Sequence, residues 1–67
     1  MSVAKVIELS SSSKQSFDDA VAKGVKKAAE SVRNIKGVWV KEMSADVDGD
    51  KITSYRVNMQ LTFVLED

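Results

Sequence analysis

The chain has 67 residues, ten of them basic and ten acidic, with no net charge, no His and no Cys. Without Cys there are no disulfides, and without His or Cys neither the usual transition-metal ligand sets nor Ser-His or Cys-His nucleophilic catalysis can be built, so the chain reads as no enzyme. A net charge of zero argues against an electrostatic nucleic-acid binder, and no apolar run is long enough to span a membrane.

The length allows one small domain over residues 1–67. A domain this short buries only about 60% of the surface it exposes when unfolded, and is usually reinforced by disulfides, a metal or oligomerisation. Oligomerisation is the reinforcement left. Met1 leads into Ser2, Val3 and Ala4 without a charged start and apolar stretch, so the chain is expected in the cytoplasm.

The first element is a short strand from Val3 to Leu9, with Lys5, Ile7 and Leu9 on one face and Ala4, Val6 and Glu8 on the other. Ser10 to Ser13 read as a loop, and as a turn with an N-cap rather than a phosphate cradle, since no Gly-Lys-Thr pattern is present. A helix follows. Phe17, Ala20, Val21, Gly24, Val25, Ala28, Val32 and Ile35 recur at three- and four-residue steps and form one apolar stripe. Ser13 or Ser16 can cap it, and Ser16 with Asp19 resembles a capping box. Gly24 inside the stripe costs about 1 kcal/mol relative to Ala, which close packing on a sheet would explain. Lys23, Lys26 and Lys27 form a basic patch diluted by Asp19 and Glu30, and read as a solvated face.

The helix is expected to stop between Asn34 and Gly37. A second strand runs from Val38 to about Val47, with Val38 and Val40 under the helix and Gly37, Trp39 and Lys41 on the other face. Asp48-Gly49 supplies a hairpin turn. In the third strand Tyr55, Val57, Met59, Leu61, Phe63 and Leu65 alternate with Arg56, Asn58, Gln60, Thr62 and Val64. From Ile52 to Leu65 it would span about 45 Å, at ~3.3 Å per residue. One helix cannot cover that length, so part of the strand is expected against other subunits.

The expected fold class is α+β: a β-α-β-β chain forming a three-stranded antiparallel sheet with one helix on one face. The other face is open and carries Trp39, Arg56, Asn58, Gln60 and Thr62. A bare face with a Trp asks for a partner, a ligand or a second sheet. Trp39 reads either as a stacking platform or as an interface anchor. Arg56 reads either as an anion contact or as one half of an intersubunit ion pair with Glu42. Asp46-Val47-Asp48-Gly49-Asp50 is not an EF-hand loop. That loop needs Gly at its sixth position and Glu at its twelfth; counted from Asp46, the Gly is fourth and the twelfth residue is Val57.

Val6-Ile7-Glu8-Leu9 before a run of small residues, Ser31-Val32-Arg33-Asn34-Ile35, Val40-Lys41-Glu42-Met43, Tyr55-Arg56-Val57 and Phe63-Val64-Leu65-Glu66 stand in the order and spacing of the dodecin family, which the chain resembles over its whole length. The resemblance implies a hollow homododecamer of cubic-type symmetry. It also implies a small-molecule partner: family members hold flavins in pairs at subunit interfaces, as storage or buffering proteins. A Trp opens the second strand of flavin-binding members, and Gly37 stands there in this chain; Trp39 lies two residues on, on the same face and about 7 Å along. The Gln that follows the third-strand Tyr in the family is replaced by Arg56. Both flavin contacts are therefore altered, which leaves Trp39, Arg56, Gly37 and Gln60 as candidate ligand contacts and flavin (riboflavin or FMN) as one candidate ligand. The alternative is a flavin-independent shell of the same fold with a structural or ion-binding role, for calcium or an anion. An oligomer can gather carboxylates from several chains about an axis, and Asp46, Asp48, Asp50, Glu8 and Glu42 are the oxygen donors this chain offers.

Overall fold

A computed structural model describes residues 3–65. Met1, Ser2 and Glu66, on which parts of the sequence reading rest, lie outside the described residues. The elements are β1 (Val3–Ser13), α1 (Phe17–Ala28), β2 (Ile35–Asp48) and β3 (Lys51–Leu65). They form one sheet in the order β1-β3-β2, with both pairings antiparallel. The expected β-α-β-β arrangement is the one observed.

The alternation of β3 explains its central place. Val57 and Met59 are buried with Ala20 of α1, and Leu9, Phe17, Val21 and Val40 pack around them; Leu61, further along β3, is fully buried as well. The Phe17 and Tyr55 rings meet edge to face, with centroids 5.0 Å apart, an arrangement favoured by their quadrupoles.

Three boundaries differ from the sequence reading. Ser10 to Ser13 are strand, not loop: they pair with Asn58, Val57, Arg56 and Tyr55. The small size of Ser11, on the face toward the helix, is what the helix needs. A Cβ placed on Gly24 would collide with the Met59 methyl and come within 3.1 Å of Ser11 Cβ, so α1 approaches β1 at Gly24 and Ser11 with no side chain to spare. Ser13 is buried, and its hydroxyl works in both directions: it donates to Asp19 Oδ2 at 2.5 Å and accepts from the Gln15 N–H at 2.9 Å.

The helix begins as expected, with Ser16 Oγ accepting from the Asp19 N–H at 2.9 Å. It ends early, at Ala28. The N–H groups of Ser31 and Val32 both turn back to the Ala28 carbonyl, and Asn34 takes a left-handed φ of 63° that a helix cannot continue. The Val64 N–H then donates to the Asn34 carbonyl, fastening the chain to β3. Val32 and Ile35 continue the helical spacing in sequence, but Val32 lies in this turn and Ile35 opens β2 opposite Phe63.

β2 is longer than expected and is irregular at three places, after Ile35, after Val40 and beyond Asp46. Val38 is 41% exposed rather than covered, because α1 lies chiefly over β1 and β3. The hairpin turns through Gly49 and Asp50, with Asp48 opposite Lys51. Gly49 has φ 67°, the left-handed region that two-residue hairpin turns require. The β2–β3 hairpin runs past the end of the helix, giving dimensions of 52 × 20 × 13 Å. Val47 and Ile52 on this extension, and Met43 on β2 opposite Val57, are all more than half exposed. No described helix is long and apolar enough to cross a membrane.

Candidate functional site

The open face of the sheet is organised as rows running across the three strands. Gln60 on β3 stands opposite Glu8 on β1 and opposite Trp39 on β2. The next row toward the hairpin is Ser10, Asn58 and Glu42, and the one after it Ser12, Arg56 and Ser44. In the other direction Thr62 lies between Val6 and Gly37. Gly37 and Trp39 thus share a face, two residues apart, as the strand period requires.

The irregularity after Val40 decides what surrounds Trp39. Val40 pairs with Met59 and Glu42 with Asn58, so Lys41 is the extra residue of a β-bulge. Two consecutive side chains then work on the open face. Lys41 Nζ reaches over β3 to Glu8 Oε2 at 2.9 Å, and Glu42 Oε1 accepts from Asn58 Nδ2 at 2.8 Å. Gln60 Nε2 also donates to Glu8 Oε2, at 3.3 Å. The Lys41 hydrogen bond, followed by that from Gln60, holds the Glu8 carboxyl below the usual carboxylate range, and Glu8 in turn raises the Lys41 ammonium. Glu8, Leu9, Ser10, Lys41, Glu42 and Asn58 line a depression of about 290 Å³ beside this network.

Trp39 is 68% exposed. Its indole is a large apolar surface held against solvent next to a half-buried amide. Arg56 does not pair with Glu42 within the chain. Its Nη2 meets Asp46 Oδ2 at 3.0 Å, because the register sets Glu42 opposite Asn58 and leaves Asp46 nearest the guanidinium. A Cβ on Gly37 would meet nothing within 4 Å, so the face is open there.

The five candidate oxygen donors are spread along the molecule. Glu8 is engaged by Lys41 and Gln60, Glu42 by Asn58 and Asp46 by Arg56, while Asp48 and Asp50 flank the hairpin glycine. Among the described residues no three acidic groups gather closely enough to hold an ion. Lys41 is the participant that sequence reasoning missed. Simple alternation placed it on the open face but gave no sign of the bulge that brings Glu42 there too.

A family model described as Dodecin matches residues 3–66. The calcium dodecin of Mycobacterium tuberculosis is 35% identical over 63 residues, covering 94% of this chain and 89% of that one. A crystal structure of calcium dodecin from the same organism, described as having a novel calcium-binding site, superposes with a TM-score of 0.81 at 34% identity, over 96% of this chain and 91% of that one. An arginine-to-alanine mutant of the Thermus thermophilus dodecin superposes with a TM-score of 0.93 over the whole of both chains at 24% identity, a likeness of fold. With its β1-β3-β2 sheet, its single helix and a family match running from the first strand to the last, the chain belongs to the dodecin family.

Proposed function

We propose that the protein is a non-catalytic small-molecule-binding and storage protein, a single-domain cytoplasmic subunit that assembles as a homododecameric shell and takes a flat aromatic ligand of the flavin type on its open sheet face. The observation that carries this reading is Trp39: a 68% exposed indole directly opposite Gln60. An indole binds a flat conjugated ring by offset stacking. The amide of Gln60 beside it offers a hydrogen bond to the ring edge, and the empty space at Gly37 leaves room along the same face. Arg56, tethered by Asp46, presents a cation two rows along the face from Trp39 and Gln60 for an anionic substituent such as the phosphate of FMN. Assembly is supported by the apolar side chains the subunit leaves uncovered, Met43, Val47 and Ile52 among them.

Titrating riboflavin and FMN against Trp39 emission tests the ligand, because the chain holds a single Trp. Saturable quenching at micromolar flavin, lost in Trp39→Leu, is expected; flat emission removes the flavin reading. Sedimentation equilibrium tests the shell, with a mass of about twelve chains expected for closed symmetric assembly and a stable monomer defeating it.

A second reading, a flavin-independent shell that binds calcium, is favoured by the likeness to calcium dodecin. In one chain the residues do not fit an ion, since Glu8, Glu42 and Asp46 are already engaged. A site would have to draw carboxylates from several subunits, with Asp48 and Asp50 of each hairpin as further donors. Calorimetric titration of chelator-treated protein with calcium, repeated on Asp48→Asn/Asp50→Asn, separates this reading from the first.

A further inference from the structure

The Gln60 amide has two ends, and the structure commits one of them. Glu8 is a carboxylate and can only accept hydrogen bonds. The amide end turned toward it, 3.3 Å from Oε2, must therefore be the NH₂. Glu8 itself is not free to swing, because Lys41 straps across β3 to the same oxygen at 2.9 Å. The carbonyl end of Gln60 accepts no hydrogen bond from the described residues, and no buried side-chain polar atom is left without a partner. Gln60 Oε1 is thus a solvated acceptor of fixed identity, in the same row as the exposed indole of Trp39.

From this geometry we infer that Glu8 is a positioning residue, which makes Gln60 an obligate acceptor and selects flat rings that carry an N–H on their edge, the cyclic imide class, over rings that lack it. The inference rests on the flat-ring reading above and adds the hydrogen-bonding demand of the site. A ring whose edge offers only acceptors would face the Gln60 carbonyl unpaired, and turning the amide over would point that carbonyl at the Glu8 carboxylate. Either arrangement loses a hydrogen bond or sets two acceptors against each other. Lys41 serves the same end indirectly, by holding Glu8.

The test compares riboflavin with N3-methylriboflavin, which keeps the ring and loses the imide proton. Trp39 quenching is read in the unaltered protein, in Glu8→Ala and in Lys41→Ala. The unaltered protein should favour riboflavin by about tenfold or more, the usual consequence of one unmade hydrogen bond in a site. In Glu8→Ala the amide is free to turn, and the preference should fall to within about twofold, with quenching by both ligands retained; Lys41→Ala should lie between. A purely steric effect of the methyl group would survive in Glu8→Ala, so an unchanged ratio there overturns the inference. Equal affinity for both ligands in the unaltered protein overturns it too, and leaves the flat-ring reading standing. Quenching by neither ligand takes down both.

Discussion

Lys41 and Glu8 form an ion pair across the width of the sheet: Nζ on β2 lies 2.9 Å from Oε2 on β1, with β3 running between the two strands. The pair exists because the bulge after Val40 gives β2 an extra residue on the open face. It joins the first strand to the second, which share no backbone ladder in this sheet.

The pair sets a pH dependence with two limbs. Glu8 is held below the ordinary carboxylate value, first by the Lys41 hydrogen bond. Its contribution is therefore present above about pH 4.3, the unfolded value, and is lost as pH falls through the lower folded value. Lys41 is raised by Glu8. Its contribution is present below about pH 10.4 and is lost as pH rises through the higher folded value. Both groups are exposed, so the effect is small. Melting temperatures measured at one protein concentration should differ slightly between the unaltered chain and Lys41→Met near neutrality and converge in acid. A difference that grows in acid would contradict the assignment.

Gly24 lets α1 sit on β1 and β3, and replacing it sets two effects against each other. Ala is the better helix former by about 1 kcal/mol. Its Cβ would collide with the Met59 methyl and press on Ser11 Cβ at 3.1 Å. Met59 is fully buried and Ser11 is held in the ladder, so neither can yield freely, and overpacking of this kind costs about 1–3 kcal/mol. Gly24→Ala should therefore lower stability on balance. In a Met59→Ala background the collision with the Met59 methyl is gone and only the tight approach to Ser11 remains, so the same substitution should cost less. Denaturation of the four proteins of this cycle measures the coupling.

How far the sequence discloses this structure depends on whether a residue's role is local. The alternation from Tyr55 to Phe63 gives the central strand directly, and Ser16 with Asp19 gives the start of the helix. Ser10 to Ser13 mislead because their composition is that of a loop, while Ser11 is small beneath Gly24 and Ser13 is buried against Asp19. Val32 and Ile35 mislead because helical spacing continues past Ala28, while the left-handed Asn34, tied to Val64, turns the chain. On the candidate site, alternation places Trp39, Gln60 and Gly37 on one face. The Glu8–Lys41 strap depends on a bulge that no local pattern announces, and the Arg56–Asp46 pair depends on the register of the hairpin.

Gly49 carries the hairpin. At φ 67° an L side chain is strained, at about 1–2 kcal/mol. Gly49→Ala should destabilise by about that amount, and Gly49→Asn by less, since Asn tolerates the left-handed region better. No neighbour lies within 4 Å of the added Cβ, so backbone conformation alone is tested. Chemical denaturation should rank the three proteins Gly, Asn, Ala. If Ala equals Gly, the turn adopts another conformation in solution.

Gly37 offers a gain-of-binding test of the open face. It lies opposite Thr62, one row beyond Trp39 and Gln60, with open space where a side chain would stand. Gly37→Trp adds a second indole about 7 Å from Trp39 along the strand, at the position where the family resemblance expects one. Fold stability should change little, because nothing is displaced. If the open face receives flat rings, the added platform should tighten riboflavin binding, and should restore binding in a Trp39→Leu background. Because the new indole also emits, affinity is read from the quenching of flavin fluorescence. Tighter binding in the double variant shows that the face needs only a correctly placed indole. Unchanged, absent binding in both variants would show that Arg56 and the Glu8–Gln60–Lys41 network close the face to flavin even with the platform restored.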